Sequence, residues 1–184
     1  MELDCQLSVK RVDERLATTT SERQRAMLAT LREHLIAEAN LDLDGLLSTL
    51  VAEPRYHLWG SGRDVGPKGR DAVAAYYTAL VEARRGLLEY DIERFVIDDQ
   101  TIVTEGFIRA YQHGSVAAEF GYAVPDLDAH YVVRYRALVL WPFDHEARLL
   151  GEDGYGGVDP HDFVRAEPAE LPDEYRRLFP ELVG

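Results

Sequence analysis

Glu105 stands in the stretch Val103-Thr104-Glu105-Gly106-Phe107, where strand alternation gives it two apolar neighbours, Val103 and Phe107, on its own face. A carboxylate among apolar groups has a raised pKa unless it is paired, and can then act as general acid or base near neutral pH. Arg134 and Arg136 share a face of a neighbouring strand; either could pair with Glu105 or Glu152, or bind a substrate carboxylate instead. His57 shares a face with Trp59, and Tyr56 shares the opposite face with Leu58. An imidazole titrates near neutrality, so His57 can carry a proton in an isomerase or lyase step, or can complete a packed wall beside Trp59. Tyr76 and Tyr77 fall on an apolar helix face, where a phenol either packs or polarises a carbonyl. Asp153 has two readings as well. Asp-Gly is a turn dipeptide, and glycines flank it at 151, 154, 156 and 157; alternation with Tyr155 fits a strand.

Other chemistries lack their residues. A net charge of −13 argues against nucleic acid, which requires clustered Lys and Arg, and against an anionic membrane surface. Cys5 is the single cysteine, so no intrachain disulfide forms, and its polar surroundings suggest an ordinary exposed thiol. No apolar run reaches membrane-spanning length, and the opening MELDCQLSVKRVDERLA lacks a signal-peptide core; a cytoplasmic protein is expected. Gly60-Ser61-Gly62 is followed by Gly66, one position too late for a dinucleotide loop. The histidines show no metal-ligand spacing, so neither a metal nor another cofactor is expected.

The elements that must hold these residues follow from period and punctuation. Residues 1–18 show no clear period and read as an extension. Thr19-Thr20-Ser21-Glu22 reads as a capping box, and Met27, Leu28, Leu31 and Leu35 then mark one helical face. Asp42 caps a second helix, which Pro54 stops. A short strand over 55–59 and a Gly-rich loop precede a third helix over 71–85, with Gly86 as its C-cap. The period then becomes two. Strands over 87–97 and 101–111 flank the turn Asp98-Asp99-Gln100, a third runs over 131–141, and a last begins near Arg148. That is an α+β chain ending in a four-strand meander. The segment 159–184, acidic and Pro-containing, reads as an arm on the domain or on a partner, with Leu171, Tyr175, Leu178 and Phe179 as anchors.

This order of elements, with Gly69, Ala72 and the Tyr76-Tyr77 pair on the third helix, Glu105-Gly106 on a hairpin strand and the ending Glu152-Asp153-Gly154-Tyr155, resembles the nuclear transport factor 2-like superfamily, SnoaL-like branch. The resemblance spans about residues 20–158. It implies a cone-shaped, curved antiparallel sheet packed against three helices around a pocket, and a homodimer formed through the sheet. It also places Asp153 with the acidic residue that several relatives direct into the cavity. The Asp that serves ketosteroid isomerases after the first strand has no counterpart in His57-Leu58-Trp59-Gly60. The expectation is a SnoaL-like domain over 19–158 acting on a hydrophobic, oxygenated small molecule by cofactor-free acid–base chemistry of the isomerase, dehydratase or cyclase type. Asp153, His57 and Glu105 would handle protons, and Trp59, Tyr77, Arg134 and Tyr155 would line the pocket. The rival expectation is a non-catalytic binding or assembly domain of the same fold.

Overall fold

The computed structural model describes residues 3–60, 63–85, 87–119, 121–178 and 180. Helix α1 (Leu7–Thr18) comes first and packs Val9 and Val12 into the main core. Residues 3–18 are thus packed on the domain; two buried valines among charged residues are too sparse a stripe to show a period. Helix α2 (Glu22–Ala39) begins after Ser21, whose hydroxyl accepts the Gln24 N–H at 3.4 Å. Glu22 is the first helical residue, not the third, so it cannot reach back to close the expected box. Its buried stripe is Met27, Leu28, Leu31 and Leu35. Helix α3 (Leu43–Ser48) is capped by Asp42, which accepts the Gly45 N–H at 3.0 Å.

Strands β1 (His57–Gly60) and β2 (Arg63–Asp64) form a small antiparallel pair before helix α4 (Arg70–Glu82). The expected C-cap, Gly86, lies outside the described residues. Within them, Arg84 adopts the left-handed turn at φ 54°, and the Arg85 N–H returns to the Leu80 carbonyl at 2.9 Å. Strands β3 (Leu88–Ile97), β4 (Thr101–His113), β5 (His130–Pro142) and β6 (Asp153–Tyr155) are the meander, with helix α5 (Gly114–Glu119) between β4 and β5. The sheet order is β2-β1-β6-β5-β4-β3, and β6 lies parallel to β1.

The last strand begins at Asp153 rather than near Arg148. Leu149 makes isolated bridges to Leu50 and Phe143, and the chain then runs closely beside residues 55–57, whose Arg55 and His57 amides donate to the Leu150 and Glu152 carbonyls. Gly151 permits that close approach: a Cβ there would sit 1.7 Å from the Arg55 carbonyl oxygen. Curvature comes from a bulge in β3 between Ile92 and Arg94, opposite Gly106, where a Cβ would meet the Asp91 carbonyl oxygen at 1.9 Å.

The C-terminal segment contributes a strand, β7 (Phe163–Ala166), paired with β5, and a short helix, α6 (Asp173–Leu178). Leu171 and Tyr175 are buried against Leu3 and Tyr111, so the arm folds back on its own domain. The anchors expected at Phe179 and in the Leu178 side chain fall outside the description.

The sheet has two unlike faces. Ile102, Thr104, Gly106 and Ala110 of β4 are buried toward the helices, with Trp141, Val139, Ala137 and Val133 opposite them on β5. Val103, Glu105, Phe107 and Arg109 alternate onto the outer face.

Candidate functional site

A cavity of about 60 Å³ lies between α2 and the inner face of the sheet. Leu35 and Ala39 of α2 form one wall, and Leu88, Tyr90, Ile108, Val139 and Trp141 form the other. Cys5 and Ser8 close it from the N-terminal side. Tyr90 and Trp141 are held in place by one residue: the Thr104 hydroxyl accepts from the Tyr90 hydroxyl at 3.0 Å and the Trp141 indole at 2.9 Å. Among the described residues no helix is long and apolar enough to cross a membrane, and no three His, Cys, Asp or Glu side chains are placed to hold a metal.

Two carboxyl groups face this apolar space, Glu38 and Glu152. Burial pushes Glu38 up to about 7. It pushes Glu152 up to about 8, with the neighbouring Glu38 and Asp153 charges adding to the shift. Among the described residues neither carboxyl has a hydrogen-bond or ion-pair partner, and no cation lines the cavity. Two like charges in so small an apolar space are costly, which favours the protonated form of at least one of them.

None of the residues expected to handle protons or bind ligand lines this cavity. His57 pairs in register with Asp153, and Trp59 with Tyr155, but Asp153 lies opposite Leu140 and Tyr155 opposite Leu138, all on the outer face. The inward residues of these strands are Tyr56, Leu58 and Gly154. The four residues do form a cluster at the outer sheet edge. His57 Nδ1 lies 2.8 Å from Asp64, which also binds Lys68 at 2.8 Å and accepts the Leu58 and Gly66 amides. These contacts hold the Asp64 carboxyl far below its usual range. Trp59 stacks near Tyr155, ring centroids 6.5 Å apart. Burial raises Asp153, whose Oδ1 has no hydrogen-bond partner among the described residues.

Glu105 is a surface ion-pair partner. Arg136 and Arg94 each contact it at 2.9 Å and hold it below the usual carboxylate range, so its environment opposes the raised pKa that the strand pattern suggested. Arg134 lies 3.6 Å over the Phe107 ring, also outside. Cys5 is half-buried at the cavity, and burial pushes its thiol up to about 11.

Tyr77 is a core residue. The Thr49 hydroxyl donates to the Leu46 carbonyl at 2.8 Å, so its oxygen accepts from His34 Nδ1 at 2.8 Å. His34 Nε2 then accepts from the Tyr77 hydroxyl at 3.0 Å, which accepts from Tyr56 at 2.7 Å. The chain is satisfied throughout, and burial holds His34 neutral by lowering it to about 4.

Sequence reasoning passed over Glu38, although it continues the apolar stripe of α2 one heptad beyond Leu31 and three residues beyond Leu35. A Glu on the buried stripe was the available signal. Glu152 adjoins the residue selected in its place, and only the packing distinguishes the two.

A curved sheet wrapped on helices around a cavity is the nuclear transport factor 2-like fold, and solved structures with that fold match this chain. The Mycobacterium tuberculosis protein RV0760c superposes with TM-score 0.56 at 15% identity, over 81% of this chain and 100% of that one. A second structure of that protein holds estradiol-17beta-hemisuccinate. A protein described as a SnoaL-like polyketide cyclase from Shewanella denitrificans gives 0.57 at 13% identity, over 74% of this chain and 92% of its own. A computationally designed 17-OHP binder gives 0.52 at 14%, over 77% and 97%. At these identities the likeness is one of fold. No protein-family model matches the chain, and no curated protein matches it in sequence.

Proposed function

We propose that this protein is an acid–base catalyst for a hydrophobic, oxygenated small molecule, working through the carboxyl pair Glu38–Glu152. The observation that carries the reading is two unpaired carboxyls facing one apolar cavity. Glu38, the lower of the two at about 7, takes the proton from a carbon next to a carbonyl. Glu152, at about 8, still holds its own proton and gives it to the carbonyl oxygen, producing the enol. Return of a proton to the same carbon or a conjugated one restores the pair. Isomerisation, dehydration and aldol-type closure all share that first step. The fold's occurrence in a cyclase-type protein and in a protein holding an estradiol derivative supports the substrate class.

The test is deuterium exchange at the α-carbons of 4-phenylbutan-2-one in D2O, followed by proton NMR. Exchange is expected above the buffer rate, fastest between pH 7 and 8, and slowed about 100-fold or more in Glu38→Gln and in Glu152→Gln. Equal exchange in wild type and both variants refutes the reading. Binding without exchange favours a non-catalytic binding domain of the same fold.

We propose also that the outer face mates with a second copy of the chain, since Trp59, Val96 and Tyr155 expose 41%, 61% and 45% of their surfaces there. Sedimentation should give a dimer for wild type and a monomer for Val96→Asp; a monomeric wild type rejects the dimer.

A further inference from the structure

A second compartment of about 40 Å³ adjoins the first, and Leu88 and Ile108 line both. Its walls mix apolar side chains, among them Ala110, Val133 and Phe163, the last brought in by β7, with the polar groups of Arg85, Tyr122, Tyr135 and Gln112. Gln112 is 9% exposed and points inward from β4. Among the described residues nothing donates to its buried Oε1. A buried acceptor without a donor destabilises a folded chain, and proteins keep such groups where a ligand completes them.

We propose that Gln112 is the distal anchor of the substrate, receiving a hydroxyl on an elongated apolar molecule whose carbonyl end reacts at Glu38 and Glu152. The inference rests on the acid–base reading and adds the substrate's second polar group and its reach. The lining residues centre the first compartment near position 106 of β4 and the second near 110, a separation of about 13 Å at a strand's rise of ~3.3 Å per residue. A skeleton of roughly two or three fused or linked rings covers that span. Leu88 and Ile108 stand between the compartments, so they must turn aside for one ligand to occupy both. A hydroxyl both donates and accepts, so it satisfies either orientation of the Gln112 amide.

The experiment compares 4-(4'-hydroxybiphenyl-4-yl)butan-2-one with 4-(biphenyl-4-yl)butan-2-one, a linked-ring pair long enough for the span and differing by one hydroxyl. Binding is read from Trp141 fluorescence in a Trp59→Phe background. Wild type is expected to bind the hydroxylated ketone about 3- to 10-fold more tightly, the range of one buried hydrogen bond. Gln112→Leu and Gln112→Met should erase the preference, keep the affinity for 4-(biphenyl-4-yl)butan-2-one, and melt no lower than wild type. A preference that survives both variants overturns the anchor. So does an absence of preference in wild type, or failure of wild type to bind either ketone. A lower melting temperature in both variants makes Gln112 a structural residue, which overturns it equally. The carboxyl pair is checked separately: the pH titration of Trp141 fluorescence in ligand-free protein should lose its step between 7 and 8 in Glu152→Gln. If that step is lost while Gln112 has no effect, the acid–base reading stands and the anchor falls.

Discussion

The polar chain Tyr56–Tyr77–His34–Thr49 and the carboxyl pair Glu38–Glu152 share helix α2, with His34 and Glu38 one helical turn apart. Burial acts on both, yet in opposite directions. It lowers His34 to about 4 and keeps it neutral, and each donor in its chain ends on an acceptor down to the Leu46 carbonyl. It raises Glu38 and Glu152 to about 7 and about 8, and among the described residues supplies no partner to either. A saturated buried network rigidifies the core, whereas an unsaturated one facing a cavity stores reactivity. The difference separates a structural tyrosine from a functional carboxyl better than residue type does.

That contrast can be broken first at Tyr77. Tyr77→Phe strands the Tyr56 hydroxyl and His34 Nε2 together, and should destabilise the protein by about 2 to 4 kcal/mol in urea unfolding. A loss no larger than that of a surface substitution would make the chain incidental.

Glu152→Gln should act with the opposite sign. The native pKa of Glu152, about 8, lies above the ordinary 4.5 of the unfolded chain. Between those values the native state holds a proton that the unfolded state has released, so stability falls as pH rises through that window. Replacing Glu152 removes its share of the slope and should stabilise the protein at pH 8.5 by about 1 to 3 kcal/mol. Unfolding measured from pH 5 to 9 tests it; parallel curves for variant and wild type would contradict the raised carboxyl.

A smaller effect marks His34. Its native value lies below the ordinary 6.5, so its contribution to stability is lost as pH falls from 6.5 toward about 4. Its ring proton signals should stay flat between pH 5 and 8 in NMR titration; an inflection near 6.5 would place the ring in solvent.

Glu105 sets the lower bound. It is held by Arg94 and Arg136 on the outer face, so Glu105→Gln should leave both the melting curve and α-proton exchange unmoved. A loss of exchange would return the outer face to the chemistry.

Much of the architecture was legible. Asp42 is a cap, the hairpin turns at Asp98 to Gln100, and the four-strand meander is present, because capping, turn chemistry and hydrophobic period are local properties of the chain. Helix α1 was not legible: its stripe is narrow and is completed by α2. Strand β7 was hidden among prolines, and it exists because β5 offers it an edge.

The site shows the same division more sharply. The alternating pattern in β1, β4 and β6 was readable, and it grouped His57 with Trp59 and Asp153 with Tyr155 correctly. Both faces of these strands carry apolar or aromatic residues, so the pattern contained no sign of which one turns inward. Only packing against α2 and α4 chose Tyr56 over His57, Thr104 over Glu105 and Glu152 over Asp153. A single-residue step along a strand exchanges its two faces, and that step decided which carboxyl meets the cavity.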